Sequence, residues 1–114
     1  MFLISDDAYF DTLYDGEPTS IASYPGMYER TLTMYTFSKK FAMTGWRLGA
    51  SIGPKNIIEQ INRLNVNMES CTTHFVQYAG LAGLNAPSQE TQDILDALKE
   101  RSCLLYTSPS PRDS

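Results

Sequence analysis

The chain has 114 residues, with Lys+Arg 9 against Asp+Glu 13 and a formal net charge of −4. That length allows one modest domain with its own core, and the 42% hydrophobic content excludes a disordered chain. The acidic balance gives no reason to propose nucleic acid or an anionic membrane as a partner, and no apolar run approaches the roughly 20 residues of a membrane span.

Met1 to Ser5 reads as a short buried strand that ends at two aspartates, Asp6 and Asp7. Its apolar start, Phe2-Leu3-Ile4, lacks the basic lead-in of a signal peptide. Asp7 to Pro25 is rich in turn formers, with Asp15-Gly16, Glu17-Pro18 and Pro25-Gly26 as punctuation. Thr31 to Phe37, T-L-T-M-Y-T-F, is β-branched and aromatic and reads as a second strand. Ser38 to Gly45 is a loop or a short helical turn. Trp46 to Ile52 reads as a third strand, bounded by Gly45 and by Gly53-Pro54.

Pro54 suits the first position of a helix in which Ile57, Ile58, Ile61 and Leu64 recur at helical spacing. Cys71 to Leu84 is small, apolar and nearly uncharged, as a buried helix would be. Ser88 suits the N-cap of a third helix through Ile94, Leu95 and Leu98. Strands followed by covering helices predict an α/β architecture with an incomplete sheet. Two cysteines, Cys71 and Cys103, make no disulfide framework, so a reducing, cytoplasmic compartment is expected.

The chemistry-bearing stretch is T-F-S-K-K-F-A-M-T-G-W-R-L-G, from Thr36 to Gly49. A lysine that must attack a carbonyl needs partial desolvation or neighbouring positive charge to free its amine. Lys39 and Lys40 both qualify by position. Arg47, eight residues after Lys39, is a good phosphate clamp because its planar fork bonds two oxygens at once. Thr36 and Ser38 add hydroxyls at the same corner. A basic surface turn is the plainer reading of these residues on composition alone. Asp6 ends a strand, where α/β sheets bind ligands, and a turn or capping aspartate is its plainer reading. Phe41, Met43 and Trp46 read as packing residues, His74 as a partly buried polar residue and Cys71 as a packing thiol.

The pair of motifs, S-D-D-A-Y and then T-F-S-K-K-F-A-M-T-G-W-R-L-G, resembles the class I/II aminotransferases of the aspartate-aminotransferase fold (fold type I), which use pyridoxal 5′-phosphate (PLP). The resemblance runs from about Phe2 to about Arg101. It implies that the chain is part of the large PLP-binding domain, a mostly parallel sheet with covering helices. It also selects between the lysines. The family's Schiff-base lysine follows a serine and precedes one variable residue and a Phe/Tyr-Ala-Met-Thr-Gly-Trp-Arg run. Lys39 fits that place as the catalytic lysine, and Lys40 fills the variable slot as a solvated side chain.

The resemblance implies the remaining cofactor contacts. Asp6 would pair with the pyridine nitrogen, Tyr9 with the ring's 3-oxygen, and Thr36, Ser38 and Arg47 with the phosphate. Asp7 would be structural. No metal is expected. The implied activity is transfer of an amino group from an amino acid to a 2-oxo acid, in amino acid metabolism, by a homodimer. Two alternatives share the fold: a PLP-dependent lyase or decarboxylase, and the effector-binding domain of a transcriptional regulator.

Both ends look cut. The family's upstream phosphate cradle and its downstream small domain have no counterpart here, so the chain alone is expected to be inactive. Residues 1–102 are expected to be the aminotransferase segment. Cys103 to Asp113, C-L-L-Y-T-S-P-S-P-R-D, resembles the translation of a transposase-type sequencing adapter, which makes 103–114 an expected non-native, disordered tail.

Overall fold

The computed structural model describes residues 1–107, with side chains described through residue 103. Three strands form one sheet: β1 (Leu3–Asp6), β2 (Thr31–Thr36) and β3 (Gly49–Ile52), in that spatial order. β1 and β2 run parallel, with Leu3 opposite Thr31 and Asp6 opposite Met34. β2 and β3 run antiparallel, with Thr33 opposite Ile52 and Thr36 opposite Gly49. The sheet is therefore mixed, an antiparallel strand added to a parallel pair. The parallel pair needs a long crossover. Residues 7–30 supply it without an α-helix, using two single 3₁₀ turns at Ile21–Ser23 and Tyr28–Arg30.

Three helices follow: α1 (Lys55–Met68), α2 (His74–Asn85) and α3 (Ser88–Thr107). Pro54 stands just before α1, where its missing N–H leaves no helical bond unmade. Ser88 opens α3. That helix runs past the boundary expected at 102/103, and the rest of the expected tail, 108–114, lies outside the described residues.

The core gathers behind the loop that follows β2. Phe37, Met43 and Val76 are its buried apolar residues. Phe37 stacks on Phe41, with ring centroids 5.4 Å apart, and meets the edge of Tyr35 at 5.6 Å. α2 approaches this cluster through Gly80, which is buried against Leu48 and Phe37.

Three sequence expectations change here. α2 is not a buried helix: only Val76 and Gly80 are covered, and Phe75, Tyr78, Leu81 and Leu84 are exposed. The reason is a shortage of covering layers. The chain exposes 8981 Å², against roughly 6,300 Å² for a compact monomer of its mass. Cys71 is likewise exposed instead of packed. The expected third strand also starts later, at Gly49, because Thr44–Trp46 forms a 3₁₀ turn and Arg47 takes a left-handed backbone conformation (φ 55°) that no strand accommodates.

Candidate active site

The site lies at the carboxyl end of the parallel pair β1–β2. Asp6 is the last residue of β1, and the backbone N–H of Asp7 donates to the Met34 carbonyl at 2.9 Å, fixing the exit of the chain. The Asp7 carboxylate accepts from Ser5 Oγ at 2.6 Å and from Ser20 Oγ at 3.0 Å. Asp7 thus faces the crossover and ties it down, and among the described residues Asp6 is the carboxylate of the pair with no side-chain hydrogen bond or ion pair.

β2 delivers the other wall. Thr36 ends the strand, and its hydroxyl accepts from the Ser38 N–H at 3.2 Å, turning the chain. The loop 37–48 is then closed at its base, where the Phe37 N–H donates to the Leu48 carbonyl at 3.2 Å. Inside it, Thr44 Oγ1 donates to the Ser38 carbonyl at 3.3 Å and Arg47 Nη1 donates to the Thr44 carbonyl at 3.2 Å. Ala42 and Arg47 both hold left-handed backbone angles, φ 51° and 55°. For non-glycine residues such angles cost on the order of 1–3 kcal/mol each and tend to collect at functional sites. The buried Phe37 and Met43 anchor this strained loop from below.

The result is one open cavity of about 280 Å³, lined among others by Asp6, Thr36, Ser38 and Arg47. Four of the six expected cofactor residues therefore share a wall. The remaining two, Lys39 and Tyr9, are not in its lining and meet each other instead: the Lys39 ammonium lies over the Tyr9 ring, 5.0 Å from its centroid. Met34, Tyr35, Leu48 and Gly49 complete the lining and were not legible as site residues in the sequence. Gly49 fits closely there, since a Cβ would stand 3.1 Å from the Tyr35 carbonyl oxygen and push on the backbone.

Lys40 differs from the solvated residue expected at the variable slot. Its Nζ pairs with Asp11 Oδ1 at 2.9 Å, and the Tyr35 hydroxyl donates to the other oxygen, Oδ2, at 2.5 Å. Burial pushes the Tyr35 phenol pKa well up, and the hydrogen bond to Asp11 and that residue's negative charge add to the effect. Nothing in the spacing could reveal this network, because Asp11 is 29 positions from Lys40.

The cavity thus gathers a carboxylate, a guanidinium and two hydroxyls at the end of parallel strands, where α/β sheets commonly take ligands, and the guanidinium with the hydroxyls could hold an anionic group. The family model for aminotransferase class I and II matches residues 1–108, and the chain belongs to that family. The chain is 39% identical over 101 residues to an arginine–pyruvate transaminase of Pseudomonas aeruginosa, an alignment covering 89% of this chain and 26% of that protein. It is 38% identical over 102 residues to an aspartate aminotransferase of Musicola paradisiaca, with the same shares. The solved aspartate aminotransferase of Rhizobium meliloti superposes with a TM-score of 0.84 at 33% identity, over 90% of this chain and 26% of that one. The chain thus spans about a quarter of the length of these relatives. The family in general works with PLP.

Proposed function

We propose that the full protein carrying this chain is a PLP-dependent transaminase, moving an amino group from an amino acid to a 2-oxo acid. One observation carries the reading: Asp6, Thr36, Ser38 and Arg47 line the same cavity, and Lys39 directly follows Ser38 in the chain. That donor set suits PLP, which has a phosphate dianion at one end and a basic ring nitrogen at the other. Arg47 with the hydroxyls of Thr36 and Ser38 would hold the phosphate. Asp6 would hold the protonated nitrogen by charge. Tyr9 would contact the ring's 3-oxygen, and Lys39 would carry the covalent link.

PLP, when bound, supplies an electron sink for negative charge developing at the substrate's α-carbon. The chain's residues do the rest. Asp6 keeps positive charge on the ring nitrogen by offering a fixed negative one. Arg47, held in place by its left-handed backbone and its bond to the Thr44 carbonyl, fixes the phosphate and so the ring's position. Once its amine is free, Lys39 acts as the general base that takes a proton from the α-carbon and later returns it. Tyr9, against the Lys39 ammonium, limits where that amine can go.

A cytoplasmic homodimer belongs to the same reading. Among the described residues no helix is long and apolar enough to cross a membrane. The apolar residues exposed on α2 offer surface to further chain or to a second copy.

The test is a half-reaction. The full-length protein loaded with PLP is mixed with single amino acids and no acceptor. Stoichiometric 2-oxo acid and pyridoxamine phosphate support transamination. Amino acid consumption that yields carbon dioxide or carbon–carbon cleavage products, with PLP regenerated, would overturn it.

A further inference from the structure

The two adjacent lysines meet different surroundings. Lys40 is tied to Asp11, and Asp11 in turn to Tyr35, so that one carboxylate joins the turn after β1, the strand β2 and the loop 37–48. The pair is shielded, with side-chain exposures of 33% for Lys40 and 20% for Asp11. The Lys40 ammonium also lies 5.6 Å from the centroid of the Phe41 ring. Together with Asp11 it lines a second cavity, of about 370 Å³, which shares Tyr35 with the cavity of Asp6 and Arg47; neither lysine lines the latter. Lys39 is exposed and has no ion pair among the described residues.

Both amines could condense with an aldehyde. A lysine held by a carboxylate must break that ion pair before its nitrogen can reach an aldehyde, whereas a lysine without an ion pair has no such contact to give up. We propose that Asp11 is a positioning residue that assigns the two lysines their roles: its ion pair engages Lys40 and leaves Lys39 as the amine that reacts with the cofactor. Tyr35 is the second anchor. Its hydroxyl takes one carboxylate oxygen and turns the other toward Lys40. This inference rests on the reading of Lys39 as the PLP lysine.

The experiment uses the full-length protein without cofactor, treated with less than one equivalent of PLP and then with borohydride. Each amine condenses with the aldehyde carbon with loss of water, and hydride from borohydride reduces the C=N bond to a stable secondary amine. Peptide mapping gives the Lys40:Lys39 label ratio in wild type, Asp11→Asn and Asp11→Glu. Asp11→Asn keeps an acceptor for Tyr35 and removes only the charge. Its ratio is expected to rise about fivefold, the factor that about 1 kcal/mol of partly exposed ion pair represents. Asp11→Glu should bring the ratio back toward wild type. A parallel readout needs no cofactor: brief acetylation with acetic anhydride should label Lys40 about fivefold faster in Asp11→Asn, with Lys39 unchanged. Wild-type label on Lys39 with either readout unmoved by Asp11→Asn would overturn the inference. Wild-type label away from Lys39 would instead overturn the cofactor reading on which it rests.

Discussion

Gly80 is where α2 presses on the loop that carries Lys39 and Arg47, and Gly80→Ala tests whether that contact holds the loop. A Cβ at Gly80 would overlap Leu48 Cδ2 and stand 3.4 Å from Phe37 Cε1. Phe37 is only 6% exposed and is stacked on Phe41, so it cannot swing aside. Leu48 must move instead, and it lies directly after Arg47. Alanine in a helix interior gains about 1 kcal/mol over glycine. Overpacking of this kind costs about 1–3 kcal/mol. The net is a loss of roughly 0–2 kcal/mol. Gly83, one turn on, is the control. A Cβ there would stand 3.1 Å from Phe41 Cδ1, which a shift of a few tenths of an ångström relieves. Gly83→Ala should therefore keep most of the gain of about 1 kcal/mol. Urea unfolding of both variants in the full-length protein, compared at equal slope, gives the two values. Gly80→Ala as stable as Gly83→Ala, with unchanged PLP affinity, would refute the claim that α2 braces the loop.

Asp6→Asn removes the charge facing the ring nitrogen while keeping the shape, and turnover should fall by about 10²- to 10³-fold, measured as kcat with PLP saturating. Arg47→Ala removes charge-assisted hydrogen bonds of about 1.5–3 kcal/mol, so PLP should bind roughly 10- to 100-fold more weakly in an equilibrium titration. Tyr35 carries a pH signature. Its phenol pKa is raised in the folded protein, so above the unfolded value of about 10 the unfolded chain loses a proton that the folded one keeps. Stability should therefore fall as pH rises past about 10, and Tyr35→Phe should flatten that fall in unfolding curves measured across the range.

The sequence shows β2 plainly, because six β-branched, aromatic and long apolar residues run together before the turn at Ser38. Pro54 and Ser88 mark the starts of α1 and α3 by their local chemistry alone. Asp6, Thr36, Ser38 and Arg47 stand out as a set only through the family resemblance of their two motifs, and the fold brings them to one cavity. The rest depends on terms that spacing does not carry. Trp46 to Leu48 has the composition of a strand, yet Arg47 adopts a left-handed angle that only the closed loop can impose. α2 has the composition of a buried helix, yet burial depends on how many layers surround it. The pairing of Lys40 with Asp11 arises from a parallel crossover that returns the chain beside its own start.

The central claim is that Lys39, and not its neighbour, is the residue that bonds the cofactor. The most direct measurement is to reduce the fully PLP-loaded, full-length protein with borohydride, digest it and locate the pyridoxyl mass by fragmentation of the peptide spanning Thr36 to Arg47. The account predicts one pyridoxyl group per chain, on Lys39, and none after Lys39→Ala. A pyridoxyl group on Lys40 with Lys39 unmodified, or undiminished labelling of the Lys39→Ala protein, would contradict it.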